Sequence, residues 1–241
     1  MKTPARTLDL FEVFARLGRP ASLTELAAEM QVPVSSCFAL VKALEAAGYL
    51  YMTRDRGPLY PTGRFAQIAS LISQADPLTE RVLNTLVTLR DRFDETACAG
   101  ILRGPQVVYL HVVETRRSVR YAPRIGETRP AHANSIGKAI LARMSPTDRK
   151  RSLSDLTLDR LTDRTLTSRD ALSAKLDAAQ QKGWHTNLGE SDDDLAAVSC
   201  AMPVNGVLVG FSVAGPIQRI EAADPDRIGA TLRDTLEQSL S

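Results

Sequence analysis

Between residues 7 and 17 the apolar side chains fall at Leu10, Phe11, Phe14 and Leu17, a spacing that predicts an amphipathic helix. Gly18 and Pro20 stop it. Ser22-Leu23-Thr24-Glu25 reads as a capping box, with Ser22 accepting from the third helical N–H and Glu25 reaching back. The helix it opens carries Leu23, Leu26, Ala27 and Met30 on one face. Ser35 is the expected cap of a third helix, whose Leu40, Val41 and Leu44 turn inward and which Gly48 ends. The Met30–Ser35 break has the length of a helix-turn-helix corner. Tyr49–Thr53 and Leu59–Thr62 are β-prone and flank a turn at Arg54–Pro58, so three helices and a small hairpin describe a winged helix-turn-helix. Residues 63–74 read as a further helix, running to a boundary at Asp76-Pro77.

Beyond that boundary the pattern changes. Residues 77–93 predict a helix, and Ala97–Leu102 with Val107–Val113 a hairpin across Arg103-Gly104-Pro105. Asn134–Ala142 and 168–182 read as helices, and 198–214 as two strands joined at Asn205-Gly206, a strong hairpin signal. A last amphipathic helix covers about 225–239. The expected class is α+β, with the second region an antiparallel sheet flanked by helices. The expected domains are a winged helix-turn-helix at 1–62, a linker helix at 63–76 and a second domain at 77–241.

At 241 residues the chain has room for one large domain or two small ones. No run approaches the roughly 18 to 20 apolar residues that span a bilayer, and the charged N-terminus lacks the apolar region of a signal peptide. Cys37, Cys98 and Cys200 are too scattered to suggest a disulfide framework or a metal site. The expectation is a cytoplasmic protein without cofactor, metal or membrane. The formal charge of +2 hides little asymmetry: residues 1–75 carry eight Lys/Arg against six Asp/Glu, and the rest carries 22 of each. Charge alone therefore announces no nucleic-acid partner.

Local arrangement says more. On the third helix Ser35, Ser36, Ala39, Lys42 and Ala43 lie opposite the apolar face, where small and polar side chains suit a major groove. Arg54 and Arg56 at the wing tip, with Arg64 after it, suit the adjacent phosphate backbone or minor groove. The competing reading is a helical interaction module whose third helix is merely solvated.

The order of elements resembles the isocitrate lyase regulator (IclR) family of bacterial transcription factors across nearly the whole chain. The resemblance rests on Leu23–Ala27, Val32–Ser36 and Leu44–Leu50, then on Gly126–Pro130, Ala131–Ala142, Gly183-Trp184 with Glu190, Ala201–Val204 and Ser212–Pro216. It implies a linker helix leading to a GAF-like effector domain, palindromic operator DNA as partner, and a homodimer or dimer of dimers. It also implies a small-molecule effector that changes repression or activation. Asn134 and Ser135 fall in the loop bordering the family's effector pocket, Ser199 where many members have Cys or Ser, and Ser212 and Ala214 at a pair often both serine. With Ile101, Leu110 and Met202 as apolar walls, this set suits a small carboxylic or aromatic acid. The sequence departs from the family in the third helix, where Ala39, preceded by Phe38, replaces a usual arginine. It departs again at Ser191–Ala197, about two residues longer than the common pattern, and at Asn187 in place of an acidic residue.

Other motifs support rival chemistry. Ser135-Ile136-Gly137-Lys138 matches S-x-x-K and would make a serine-dependent hydrolase or amidase, but the partner motifs S-D-N and K-T-G are absent. Gly210–Ala214 approaches a nucleophile elbow but sits in a strand pattern. His111, His132 and His185 lack metal-ligand spacing. His132 lies nearest the pocket loop, where it would sense a carboxylate. Asp192-Asp193-Asp194 reads as a solvated acidic loop, and Cys98 and Cys200 as small buried hydrophobes. Trp184 reads as a packing residue, with a pocket wall as the other option. The expected protein is a ligand-responsive DNA-binding regulator rather than an enzyme.

Overall fold

The computed structural model describes residues 3–55, 57–74 and 77–240. The chain divides into two compact units, Met1–Asp76 and Pro77–Ser241.

In the first unit, helices α1 (Thr3–Leu17), α2 (Leu23–Glu29) and α3 (Val34–Ala46) precede a hairpin of β1 (Leu50–Met52) and β2 (Leu59–Pro61). Ala21 bridges to Leu59 and ties the start of α2 to the wing. Leu10, Phe14, Leu26, Val41 and Leu50 meet in one core, so the amphipathic stripes converge as their spacing requires. Helix α4 (Arg64–Gln74) is anchored by Phe65, whose ring stacks on Phe11 with centroids 4.6 Å apart.

Two local expectations are corrected. Ser22 does cap α2, accepting from the Glu25 N–H at 3.2 Å. The Glu25 carboxylate, however, pairs with Arg19 instead of reaching back. Ser35 is not the cap of α3: the helix begins at Val34, with Pro33 in the cap position and the Pro33 carbonyl accepting from Ser36 and Cys37 N–H. Proline's fixed φ suits that place, and Ser35 moves inside the first turn.

The second unit contains α5 (Pro77–Phe93), β3 (Thr96–Arg103), β4 (Gln106–Val113), β5 (Thr128–Pro130), α6 (Ser135–Arg143), α7 (Pro146–Ser154), α8 (Arg169–Gln180), β6 (His185–Leu188), β7 (Leu195–Val204), β8 (Val207–Pro216), α9 (Ile217–Ala222) and α10 (Pro225–Leu240). The strands form one antiparallel sheet in the order β5-β4-β3-β8-β7-β6. Asn205 and Gly206 both take positive φ, as the tight β7–β8 turn demands. Elements β5, α7, β6 and α9 are additional to those that the residue pattern predicts.

Strand alternation gives the sheet two covered faces. Ala97, Val198, Phe211 and Val213 pack under α5, α9 and α10. Cys98, Tyr109 and Ala201 face α6 and α8. Helix α6 is buried from Ser135 through Ala142. Its approach depends on two glycines: a Cβ on Gly137 would sit 2.4 Å from the Ala131 carbonyl oxygen, and one on Gly210 2.6 Å from Ile136.

Candidate functional site

Helix α3 turns Cys37, Val41 and Leu44 into the core and leaves Ser35, Ser36, Phe38, Ala39 and Lys42 exposed. Lys42 pairs with Glu45 at 3.2 Å and lies 5.9 Å from the centroid of the Phe38 ring. Arg54 stands exposed at the wing, while Arg56 lies outside the described residues. Arg64 is folded back over Tyr49, 5.1 Å from its ring centroid.

In the second unit a cavity of about 480 Å³ opens at the N-terminus of α6. Asn134 organises it. Its Oδ1 accepts from Ile136 N–H at 2.9 Å and Gly137 N–H at 3.3 Å, capping the helix, while its Nδ2 donates to the Tyr109 hydroxyl at 3.0 Å. Tyr109 in turn lies 3.1 Å from the Tyr121 hydroxyl. Burial pushes both phenols up from their ordinary pKa, so they stay neutral and able to donate. Ser135, Ser212 and Ala214 line the same space. Ser212 pairs across strands with Ser199 and with Cys98, which puts its side chain on the α6 face.

Ser199 is fully buried one layer behind, its hydroxyl donating to Ser135 Oγ at 2.6 Å. It orients Ser135 rather than lining the cavity. Ile101 and Met202 do not line it either. Both pack with the α5–α10 core on the opposite face of the sheet. Met202 is three residues from Ser199, and an odd offset along a strand reverses the face. Leu110 is displaced by a β-bulge: Tyr109 pairs with Gly100 and His111 with Ala99, leaving Leu110 as the extra residue.

Several residues outside the expected set also line the cavity. Tyr121 and Arg120 come from the loop before β5, and Arg129 from β5 itself. Arg120 pairs with Glu114 at 2.6 Å and Arg129 with Glu127 at 2.5 Å. Towards the other edge of the sheet stand Asn187, Asp192 and Asp194. Asn187 Nδ2 donates to the Ala133 carbonyl at 2.7 Å and to Ser191 Oγ at 2.9 Å, while its Oδ1 accepts from the Glu190 N–H at 2.8 Å. The signal for Tyr109 was available, since it alternates with Val107 on the buried face. Nothing periodic marked the loop arginine.

The S-x-x-K pair is split by its partners. Lys138 Nζ donates to Glu190 Oε1 at 2.5 Å and to the Thr186 carbonyl at 2.7 Å, while Lys175 donates to the same carboxylate oxygen at 2.7 Å. Burial lowers the Lys138 pKa to about 8 against the pull of Glu190. Among the described residues no hydrogen bond joins Ser135 to Lys138, so the lysine is not placed to take the serine's proton. His132 is also turned elsewhere, with Nε2 3.0 Å from the Asp159 carbonyl oxygen, and it does not line the cavity. Trp184 packs against Gly229 and donates to Asp226 at 3.1 Å. Burial pushes the Cys98 and Cys200 thiols up to about 12. Among the described residues no cluster of His, Cys, Asp or Glu is arranged to hold a metal ion, and no helix is long and apolar enough to cross a membrane.

A winged helix-turn-helix with an exposed third helix, followed by a sheet domain enclosing a polar cavity, defines a DNA-binding regulator. Two family models cover the chain: the IclR helix-turn-helix domain matches residues 3–54 and the bacterial transcriptional regulator IclR C-terminal domain matches residues 70–239. The chain belongs to the IclR family of transcriptional regulators. It is 29% identical over 222 residues to the HTH-type transcriptional regulator BhcR of Paracoccus denitrificans, covering 90% of this chain and 78% of that one. Against the HTH-type transcriptional regulator XynR of Escherichia coli it is 24% identical, covering 97% of this chain and 92% of that one. The fold matches the crystal structure of Thermotoga maritima IclR with a TM-score of 0.77 at 20% identity, over 100% and 96% of the two chains. It also matches an IclR homolog from Microbacterium hydrocarbonoxydans complexed with 4-hydroxybenzoate, with a TM-score of 0.73 at 22% identity over 99% of each chain.

Proposed function

We propose that this protein represses or activates a catabolic operon in the cytoplasm in response to a small carboxylic or aromatic acid held at the N-terminus of α6. The observation that carries this reading is the cavity lined by Asn134, Tyr109, Tyr121, Ser135 and Ser212, whose volume of about 480 Å³ fits a small metabolite. The positive end of the α6 dipole favours a carboxylate there. A crystal structure of a family member holding 4-hydroxybenzoate is in keeping with that ligand chemistry. Asp192 and Asp194 stand exposed at the far side of the cavity. They favour a ligand whose second end is neutral or donates hydrogen bonds over a dicarboxylate.

The DNA contacts are assigned to Ser35, Ser36, Ala39 and Lys42 on α3 and to Arg54 and Arg56 on the wing. Residues 1–62 form the DNA-binding part, 63–76 the linker and 77–241 the effector and oligomerisation part. The working form is a homodimer or a dimer of dimers. Its support is apolar surface on helices: Leu71 and Ile72 of α4 are 60% and 68% exposed, and Leu83 and Val87 of α5 are also exposed. A ligand that prefers one dimer geometry shifts the spacing of the two winged domains and so the operator affinity.

The test is a thermal-shift panel of small mono- and dicarboxylic acids on the full chain, followed by competition with operator DNA. Acids that stabilise the protein and change DNA affinity support the reading. Stabilisation that survives Ser135→Ala and Tyr109→Phe unchanged places the ligand elsewhere and contradicts it.

A further inference from the structure

The outward face of α3 carries two large apolar side chains that the core does not use. Val34 is 46% exposed and Phe38, one turn later, 50% exposed, with the Ala39 methyl open beside them. Cys37, Val41 and Leu44 already fill the inward face. At about 100° per residue, Phe38 stands well round the axis from Cys37 and leans towards the outer face held by Ser35, Ala39 and Lys42. Lys42, 5.9 Å from the ring centroid, gives the Phe38 ring a neighbour on its own helix.

That surface lacks the groups that read purines. From Ser35 to Lys42 there is no arginine, asparagine or glutamine to grip guanine or adenine in a bidentate way. The single cation, Lys42, is shared with Glu45. An apolar helix face in the major groove meets one apolar feature on the base edges, the 5-methyl group of thymine. We infer that α3 reads thymine methyl groups, with Phe38 as the principal contact, so that operator half-sites are specified by thymine at the positions the ring covers. The inference rests on the DNA-binding reading of the helix-turn-helix and adds what the helix recognises.

The experiment selects a consensus duplex from a random-sequence library with the full-length protein, then measures binding to that duplex and to its copy with deoxyuridine in place of thymidine in the half-sites. The substitution removes only methyl groups. The expected loss for the wild-type protein is about fourfold for each contacted methyl, equivalent to ~0.8 kcal/mol per buried carbon. Phe38→Ala binds both duplexes alike, and Phe38→Leu, which keeps an apolar contact, retains part of the difference. Circular dichroism of both variants checks that they fold. Equal binding of the two duplexes by the wild-type protein overturns the inference. So does the same loss in wild type and Phe38→Ala, because the methyl effect then belongs to duplex shape. A selection that yields no consensus overturns sequence-specific DNA binding itself, and the thymine assignment falls with it.

Discussion

Asn134 Nδ2 donates to the Tyr109 hydroxyl at 3.0 Å while its Oδ1 caps α6. One side chain thereby holds both the helix end and the phenol that faces the cavity. Two variants probe the two roles. Asn134→Ala removes the cap and is expected to cost about 1 kcal/mol of stability, within the usual range of roughly 0.5 to 2. It also loosens Tyr109 and weakens ligand binding. Tyr109→Phe leaves the cap in place but takes the phenol partner from Asn134 Nδ2 and the Tyr121 hydroxyl, so it costs about 1 kcal/mol of its own while ligand affinity falls. Paired urea titrations and ligand titrations on the two variants check this.

The exposed cations of the first unit are expected to act on phosphates. Lys42→Ala and Arg54→Ala should each weaken binding to all duplexes by a similar factor and reduce the slope of log affinity against log salt by about one. Anisotropy titrations at several salt concentrations read both quantities. A variant that changed base preference and left the slope intact would place that residue on a base edge instead.

Glu190 holds two lysines of unequal burial. Lys138 is fully buried, whereas Lys175 keeps about a third of its side-chain exposure. Glu190→Met leaves Lys138 with the Thr186 carbonyl alone and is expected to destabilise the second unit by roughly 3–5 kcal/mol, the range for breaking a buried pair. Lys138→Met leaves Glu190 paired with Lys175 and should cost less. Guanidinium unfolding of both variants tests the order, and equal costs would mean Lys175 contributes nothing to Glu190.

His185 supplies a pH dependence. Burial, reinforced by Lys138 and Lys175, lowers its pKa to about 3 from an ordinary value of 6.5. Between these values the unfolded chain binds the extra proton and the folded protein does not. Stability from this group is therefore present above about pH 6.5 and is lost as pH falls towards 3. The expected slope is about 1.4 kcal/mol per pH unit, or ~2 kcal/mol between pH 6.5 and 5. His185→Asn should flatten that part of the profile. Denaturant midpoints at a series of pH values measure it.

Much of this architecture was legible because local chemistry and tertiary packing agree. The Asn205-Gly206 turn and the amphipathic stripes of α1 to α3 each follow from their own few residues. Elements without such signals went unread: β5 has three residues and β6 four. In the cavity, Asn134, Ser135, Ser212 and Ala214 were named from the family resemblance, and the structure brings them together. Ile101 and Met202, expected as apolar walls, pack on the opposite face of the sheet. Counting alternation from Ser199 would have placed Met202 on the other face. The bulge that moves Leu110 out of register and the loop that delivers Arg120 and Tyr121 depend on tertiary pairing, which no local spacing encodes.

The central claim is that a small acid in the α6 cavity sets operator affinity. Its most direct test is fluorescence anisotropy of the selected duplex at about 150 mM salt, titrated with wild-type protein and with Tyr109→Phe, in the presence and absence of acids that raise the melting temperature. The account predicts a shift of about 5- to 150-fold in DNA affinity for the wild type, the usual span of coupling between two sites, and its collapse in Tyr109→Phe. An acid that binds the wild-type protein and leaves DNA affinity unchanged, or that shifts it equally in both proteins, would contradict the account.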